Sequence, residues 1–403
     1  MPVKALLACC AVLAAAAASV SSAGADQART SGIVFQSRVV ASWGLNDDGE
    51  LGDGTVTSRP LYGDIRVGND VAQVAAGGRH GLALKSDGTV WSWGSNGAGQ
   101  LGDGAWGGHR DTPVQVSGLT GVTQVAAGRD FSLALRSDGT VWAWGDNFSG
   151  QLGRGTFSSH EFIPAQVTGL AGVTKISAGH DFALALRSDG TVRAWGDDFD
   201  GQLGDGGMTP SPVPVTVAGL SQVTRISAGF DSSVATTSGG VSALSSVWTW
   251  GRNDLGQLGD GTRTRHRTPE RVTGVPGYIA GISAGAMFAT VLGADGSVWG
   301  WGNNFDGQLA TPQAGVALTR PVNTIAAGSG ITQLAAGDSD LYALKSDGTV
   351  LAWGANFDGQ LGNGTQTDTT RPAPVTGLTD ATQVAAGEQF ALAIHIVPYL
   401  VGL

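Results

Sequence analysis

Cysteine and charge are the two things this chain has little of. Its 403 residues include two cysteines, Cys9 and Cys10, both inside an apolar N-terminal stretch, and 14% of its residues are charged. No disulfide or thiolate metal site can therefore form beyond position 10, and a folded domain there has to be stabilised by buried apolar surface. Glycine, by contrast, is abundant at 65 residues, which favours short strands with tight turns over helices.

The first 25 residues have the three parts of an export signal. Lys4 precedes an apolar run from Ala5 to Val20, and the small residues Ala23-Gly24-Ala25 follow. We expect cleavage near Ala25 and a secreted, periplasmic or cell-envelope location. The apolar run is too short and too rich in alanine for a stable anchor, so we expect no integral membrane segment in the mature chain. Acylation at Cys9 is the alternative, but only four apolar residues precede that cysteine.

The charge balance is acidic. The formal net charge is −10, and loss of Lys4 with the signal would make it −11. A chain of this charge repels phosphates and anionic headgroups at long range, so we expect no nucleic acid partner. The six histidines are scattered without metal-ligand spacing, so we expect no metal and no cofactor. We also expect a monomer.

The stretch WGDDFDGQLGDG, which begins at Trp195, looks like a calcium loop but is one copy of a repeat. In an EF-hand loop Asp is the first ligand, and here Gly196 takes that position. Similar stretches recur at steps of 50 to 55 residues and begin at Trp43, Trp93, Trp144, Trp250, Trp301 and Trp353. A nearly fixed period of this size indicates a repeat architecture, here with seven units.

Each unit contains four predicted strands, exemplified by Pro113–Val116, Val122–Gly128, Phe131–Ser137 and Thr140–Gly145. The third and fourth are joined by Ser-Asp-Gly, a signal for a short hairpin. The strands are apolar on both faces, so each sheet needs a neighbour on both sides, as in the ring of a β-propeller. We therefore predict an all-β fold, a seven-bladed β-propeller of four-stranded blades.

Ring closure can also be predicted. The chain starts with an isolated strand of the fourth type, Ser37–Gly44, and ends with strands of the second and third types, Thr382–Ile394. The N-terminal strand should therefore complete the last blade. This divides the chain into a signal peptide (1–25), a linker (26–37), a propeller (38–396) and a C-terminal tail (397–403).

The repeat unit VAAGRDFSLALRSDGTVWAWGDNFSGQLGRG resembles the regulator of chromosome condensation repeat family, and the likeness extends from about Ser37 to Ile396. It implies a seven-bladed propeller. For function it is less specific, because members of that family serve as nucleotide-exchange factors, as inhibitors or as binding modules. An exchange factor would imply a wedge-like insertion, whereas the insertion at Asp231–Trp248 is a longer Ser/Gly/Thr-rich hairpin. Similarity to secreted bacterial inhibitor propellers implies an exported, bacterial-type member and makes inhibition of an extracellular enzyme one concrete version of its function.

Deviations from the repeat are concentrated in the loops that follow Gly-Gln-Leu-Gly, which should emerge on the same face as the Ala-Gly turns. Binding sites commonly lie on variable loops that a rigid scaffold holds. Several of these loops carry aromatic residues or arginines, the usual composition of a protein-binding hot spot. The candidate binding residues are Trp106, His109, Arg110, Phe157, His160, Phe162, Arg263, Arg265, His266 and Arg267. The alternative is that the aromatic rings pack against blade edges and the arginines are merely solvated.

We expect an exported, non-enzymatic propeller that binds a protein or another macromolecule through this face. The alternative from another class is a glycan-processing enzyme with catalytic carboxylates at the mouth of the ring, for which Asp47, Asp146, Asp197 and Asp254 are the candidates. Their simpler interpretation is turn chemistry after the Trp-Gly strand. A carboxylate pair ~5 to 10 Å apart, with one raised pKa, would favour the enzyme.

Overall fold

Short β-strands make up the regular structure. The computed structural model describes residues 34–238 and 244–400, with the backbone alone for residues 34, 35, 399 and 400. The predicted signal peptide, most of the predicted linker and residues 239–243 of the insertion lie outside this range. Among the described residues no helix is long and apolar enough to cross a bilayer.

The strands are β1 (Val34–Gly44), β2 (Arg59–Ile65), β3 (Val71–Ala76), β4 (His80–Lys85), β5 (Val90–Ser95), β6 (His109–Gln115), β7 (Val122–Ala127), β8 (Phe131–Arg136), β9 (Val141–Asp146), β10 (His160–Gln166), β11 (Val173–Ala178), β12 (Phe182–Arg187), β13 (Val192–Gly196), β14 (Ser211–Thr216), β15 (Val223–Ala228), β16 (Ser232–Thr237), β17 (Ser246–Gly251), β18 (His266–Val272), β19 (Ile279–Ala284), β20 (Phe288–Gly293), β21 (Val298–Gly302), β22 (Leu318–Ile325), β23 (Ile331–Ala336), β24 (Asp340–Lys345), β25 (Val350–Gly354), β26 (Thr369–Pro374), β27 (Ala381–Ala386) and β28 (Phe390–Leu400).

These strands form seven four-stranded antiparallel sheets, the blades. Blades 1 to 6 each use four consecutive strands, namely β3–β6, β7–β10, β11–β14, β15–β18, β19–β22 and β23–β26. Blade 7 has the order β2-β1-β28-β27, so the N-terminal strand β1 lies beside β28 and closes the ring, as predicted. The structure adds that a second N-terminal strand, β2, forms the outer edge of this blade.

The predicted grouping of strands within a unit was wrong by one strand. We placed Pro113–Val116 first in its unit, but β6 pairs with β5, with Trp91 opposite Gln115 and Ser92 opposite Val114. It is therefore the fourth, outermost strand of blade 1 rather than the first of blade 2. A repeating sequence gives the order of strands but does not mark where one sheet ends and the next begins.

Each repeat tryptophan connects its blade to the preceding one. The side chains of all seven are fully buried, and each indole N–H donates to a backbone carbonyl in the Gly-Gln-Leu-Gly loop, or its Gly-Glu-Leu-Gly equivalent, of the preceding blade. Trp144 Nε1, for example, lies 2.8 Å from the oxygen of Gln100. The loop glycine lies against the same ring, because a Cβ at Gly102 would be 2.7 Å from Trp144 Nε1.

A second set of hydrogen bonds joins the innermost strands. In four interfaces a glutamine amide bonds both the N–H and the carbonyl of a residue in the next blade, as Gln124 does with Ile176 at 3.0 and 2.9 Å. In the other three a serine hydroxyl, such as Ser177 Oγ, accepts from the next strand. These side chains satisfy backbone groups that four-stranded blades leave unpaired at the inner edge.

The buried repeat tryptophans should contribute strongly to the free energy of unfolding, whereas Trp106 in the loop should contribute little. Trp195→Ala should lower the free energy of unfolding by about 3–5 kcal/mol, because it leaves a cavity between blades 2 and 3. Trp106 is 66% exposed, so Trp106→Ala should cost less than about 1 kcal/mol. Urea unfolding of both variants tests this, and equal losses would contradict it.

Candidate protein-binding face

The connections of the blades emerge on two faces that differ in character. We call loop face the surface formed by the connections between first and second strands and between third and fourth strands of each blade. The turn face carries the remaining connections, which are mostly Ser-Asp-Gly hairpins and short links to the next blade. In the hairpins the Asp side chain accepts from the residue two positions on, as Asp138 does from the N–H of Thr140 at 3.0 Å. The turn face is regular, and variation is concentrated on the loop face.

The predicted aromatic residues lie on the loop face of blades 1 and 2. Trp106 is exposed, and its ring lies 6.3 Å from that of Phe162, with Nε1 donating to the Gly97 carbonyl at 2.9 Å. Phe157 is exposed as well, whereas Phe162 is half-buried against Gly99. The side chains of Trp106 and Phe157 are thus solvent-exposed, and their role in binding stays a prediction.

The predicted basic residues are more engaged than the sequence suggested. Arg110 forms an ion pair with Asp103 at 2.9 Å, and His109 beside it is exposed. The side chain of His160, half-buried, lies 3.6 Å from Asp146 Oδ1, measured from Nδ1.

The arginine cluster lies on blade 4. Arg265 pairs with Asp200 of blade 3 at 3.1 Å, and His266 bonds Asp260 at 2.7 Å. Arg263 and Arg267 are exposed. Blade 3 separates this cluster from Trp106 and Phe157, so the candidates form two groups rather than one hot spot.

The most prominent exposed side chains of this face were not among the candidates. Four phenylalanines occupy one repeat position, two residues before Gly-Gln-Leu, and their side chains are 52–69% exposed: Phe148, Phe199, Phe305 and Phe357. The corresponding residues of the other blades are Asp47, Gly97 and Asp254. The signal was present in the sequence, but these residues belong to the repeat itself, and the candidates were chosen from deviations from the repeat.

Carboxylates lie around the four exposed phenylalanines of the loop face. Near the propeller axis, burial raises the pKa of Asp130, Asp231, Asp338 and Glu388. Further out, burial together with a neighbouring carboxylate raises the pKa of Asp146 and of Asp197 to about 6. Because burial is the largest cause in each case, the raised values indicate that these carboxylates are partly desolvated. No group of three or more His, Cys, Asp or Glu side chains among the described residues is arranged to hold a metal ion.

The four carboxylates proposed for an enzyme do not converge. Asp47, Asp146, Asp197 and Asp254 belong to blades 7, 2, 3 and 4. Asp146 accepts a hydrogen bond from Gln151 of its own loop, and Asp197 accepts one from Gln202, both at 2.8 Å. The Gln151 nitrogen also lies 3.4 Å from Asp181, so Asp146 and Asp181 form a carboxylate pair in which the pKa of Asp146 is raised, the pattern named above for the enzyme alternative. The hydrogen bonds to Gln151 and Gln202 are those of turn chemistry, and the pair joins Asp146 to Asp181 rather than to the other three candidates.

Asp198 occupies a position that is asparagine in the other six repeats. Each Asn accepts from the N–H of the loop leucine and donates to a loop carbonyl; Asn147 does so at 3.0 Å to both Leu152 and Thr156. Asp198 keeps the first bond, at 2.9 Å to Leu203. Its Oδ2 is buried and has no donor among the described residues, and burial raises the pKa of Asp198 to about 7.

The regular ring and its variable loop face define a repeat propeller in which scaffold and variable loops are separate. Its family can be stated directly: residues 39–393 match the RCC1-like domain, and the chain belongs to that family. This confirms the resemblance seen in the repeat unit.

Relatives match most of the chain. The chain is 29% identical over 348 residues to the ultraviolet-B receptor UVR8 of Arabidopsis thaliana, covering 84% of this chain and 78% of UVR8. It is 31% identical over 375 residues to the human E3 ubiquitin-protein ligase HERC2, covering 87% of this chain but only 7% of HERC2.

Solved structures show the same fold. Human WBSCR16 superposes with a TM-score of 0.79 at 24% identity, over 89% of this chain and 98% of that chain. Prp20p of Saccharomyces cerevisiae has a TM-score of 0.77 at 24% identity, over 91% and 92%.

Replacing Asp198 by the residue of the other repeats should stabilise the protein. Asp198→Asn restores an amide donor to the loop carbonyls, and a gain of about 1–3 kcal/mol is expected at about pH 8. In the native protein the folded state holds the Asp198 proton more tightly than the unfolded state does. Its contribution is therefore fully present below about pH 4 and is lost as the pH rises to about 7.

The advantage of Asp198→Asn should accordingly grow across that range and level off above it. Urea unfolding of both proteins at several pH values measures the difference. An advantage that is constant with pH would contradict the proposed protonation of Asp198.

Proposed function

We propose that this chain is a binding propeller that holds a basic protein partner on its loop face. The observation that carries the proposal is the set of four exposed phenylalanines at one repeat position. Solvent-exposed aromatic side chains on neighbouring rigid loops lose little conformational entropy on binding and bury large apolar areas. The carboxylates around them favour a partner of positive charge.

The family supports a role in protein binding. Prp20p is described with binding properties toward Gsp1p and histones, and yeast RCC1 (Prp20) has been solved with Kap60 bound. These partners belong to the yeast protein. What this chain shares with it is the scaffold, and the partner of this chain is determined by its own loop residues.

The loop-face phenylalanines can be tested against an equivalent aromatic on the other face. A partner is first isolated by passing the envelope fraction and culture medium of the producing organism over the immobilised mature protein. Phe199→Ala and Phe357→Ala should each weaken its binding by about 1–2 kcal/mol, with stability changed by less than about 1 kcal/mol.

The matched control is Tyr278→Ala. Tyr278 is 69% exposed and lies in the connection between β18 and β19, on the turn face. Binding measured by calorimetry should be unaffected by this change. If Tyr278→Ala weakens binding and the two phenylalanine variants do not, the loop face is the wrong surface.

We also propose that the protein is exported and that its partner is an extracellular enzyme which it inhibits. Support comes from the N-terminal sequence, with Lys4, the apolar run Ala5–Val20 and the small residues up to Ala25. N-terminal sequencing of the protein from the producing cells should yield a chain that starts near Asp26. A chain that begins at Met1 or Pro2 would refute export.

A further inference from the structure

A pocket opens on the loop face between blades 1 and 2. Its walls include Gly97, Gln100, Asp130, Asp146, Phe148 and Asp181, and it encloses about 870 Å³ with its open mouth. Gly97 lines it at the repeat position of the exposed phenylalanines. A Cβ added at Gly97 would meet no atom within 4 Å, so the space at Gly97 is empty of protein.

The pocket is negatively charged. Three carboxylates, Asp130, Asp146 and Asp181, line it together with one guanidinium, Arg129, whose Nε lies 3.4 Å from Asp130. Burial raises the pKa of Asp130; the charge of Arg129 opposes this shift, and the nearby Asp181 adds to it. A cation that enters this space gains attraction from carboxylates that are already partly desolvated in the free protein.

The carboxylates are held in place before any ligand arrives. Gln100 Nε2 donates to Asp130 at 3.1 Å, and Gln151 Nε2 lies 2.8 Å from Asp146 and 3.4 Å from Asp181. His180 Nδ1 lies 2.8 Å from the other oxygen of Asp181. The side chains of Asp130 and Asp181 remain 37% and 29% exposed, so their oxygens can be reached from solvent. Preorganised acceptors reduce the entropy lost when a ligand binds.

The Phe148 ring, which lines the pocket, favours a guanidinium over an ammonium. The Phe148 side chain is 66% exposed, and His160 packs against its ring at 5.4 Å with the two planes 84° apart, which fixes the orientation of Phe148. A guanidinium is flat, stacks on an aromatic face and donates in a fork that suits carboxylates, whereas an ammonium is a compact, strongly hydrated charge.

We propose that this pocket is an anchor site for one arginine side chain on the partner protein. The guanidinium lies along Phe148 and donates to Asp130 and Asp181. The assignment rests on the proposed function of the loop face, because it names the side chain by which the partner is held. Gly97 makes the site specific to this blade interface.

The test uses small probes, so it does not need the partner. N-acetyl-arginine amide should bind the mature protein, followed by NMR of the imidazole signals with His160 assigned through His160→Gln. N-acetyl-citrulline amide has the same shape without the charge and should bind at least about tenfold more weakly, as should N-acetyl-lysine amide. Absence of arginine binding, or equal binding of either control probe, overturns the proposal.

Two variants locate the probe. Gly97→Phe fills the pocket with the residue that four other blades have at this position, and Asp130→Asn removes one charge at constant volume. Each should weaken arginine binding by about tenfold or more. Asp254→Phe places the same ring at the same repeat position in blade 4 and should leave it unchanged. Unchanged binding in Gly97→Phe, with thermal melting showing a folded protein, overturns the assignment.

The outcome for the pocket can be separated from that for the loop face. Phe357→Ala should reduce binding of the partner and leave the arginine probe unaffected. If Gly97→Phe loses the probe but binds the partner with native affinity, the anchor role is refuted while the loop face stands. If the probe binds as described and no loop-face variant affects the partner, the proposed function fails instead.

Discussion

The hydrogen bond from each buried tryptophan to a loop carbonyl of the preceding blade is the interaction on which the ring depends. It fixes the Gly-Gln-Leu-Gly loop as part of the next interface, so this segment cannot vary freely. In blade 5 the loop glycine is replaced by Ala310, which keeps the left-handed backbone with φ 51°. The geometry is thus retained even where an alanine has to adopt an unfavourable conformation.

Blade 7 is closed by the same bond on both sides. Trp43 donates to Gln360 of blade 6, and Trp93 of blade 1 donates to Glu50 of blade 7. The glutamine hydrogen bonds between innermost strands close the ring near the axis as well, where the side-chain amide of Gln383 bonds the backbone N–H and carbonyl of Val74. The blade assembled from both ends of the propeller is therefore held by the same contacts as the others.

The sequence predicted the features that follow from these contacts. The seven repeat tryptophans, from Trp43 to Trp353, indicated the number of blades. The unpaired strand near Ser37 predicted that the N-terminal strand closes the ring. The outer strand β6 was assigned to the wrong blade because the repeating sequence does not show that β6 pairs with β5. Trp106 was chosen as a candidate because it lies in a long loop, with packing against a blade edge as the alternative. Phe148 and its equivalents were not chosen, because a side chain that repeats can be either core or surface. The pairing of Arg265 with Asp200 joins two blades and could not be read from either loop alone.

Recognition is free to vary because the scaffold contacts are made by neighbouring residues. In each loop the Asn or Asp after Trp-Gly-x is fully or almost fully buried, and so is the glutamine of Gly-Gln-Leu, which is Glu50 in blade 7. These two residues make the scaffold contacts, and the residue one position after the Asn or Asp does not share in them. That position is phenylalanine in four blades, aspartate in two and glycine in one. Because the ring holds all seven at a fixed geometry, changing one of them alters the surface chemistry without altering the fold. Apolar contact at Phe199, Phe305 and Phe357 and a charged hollow at Gly97 can therefore coexist on one face, which favours a partner that offers both an apolar surface and a protruding basic side chain.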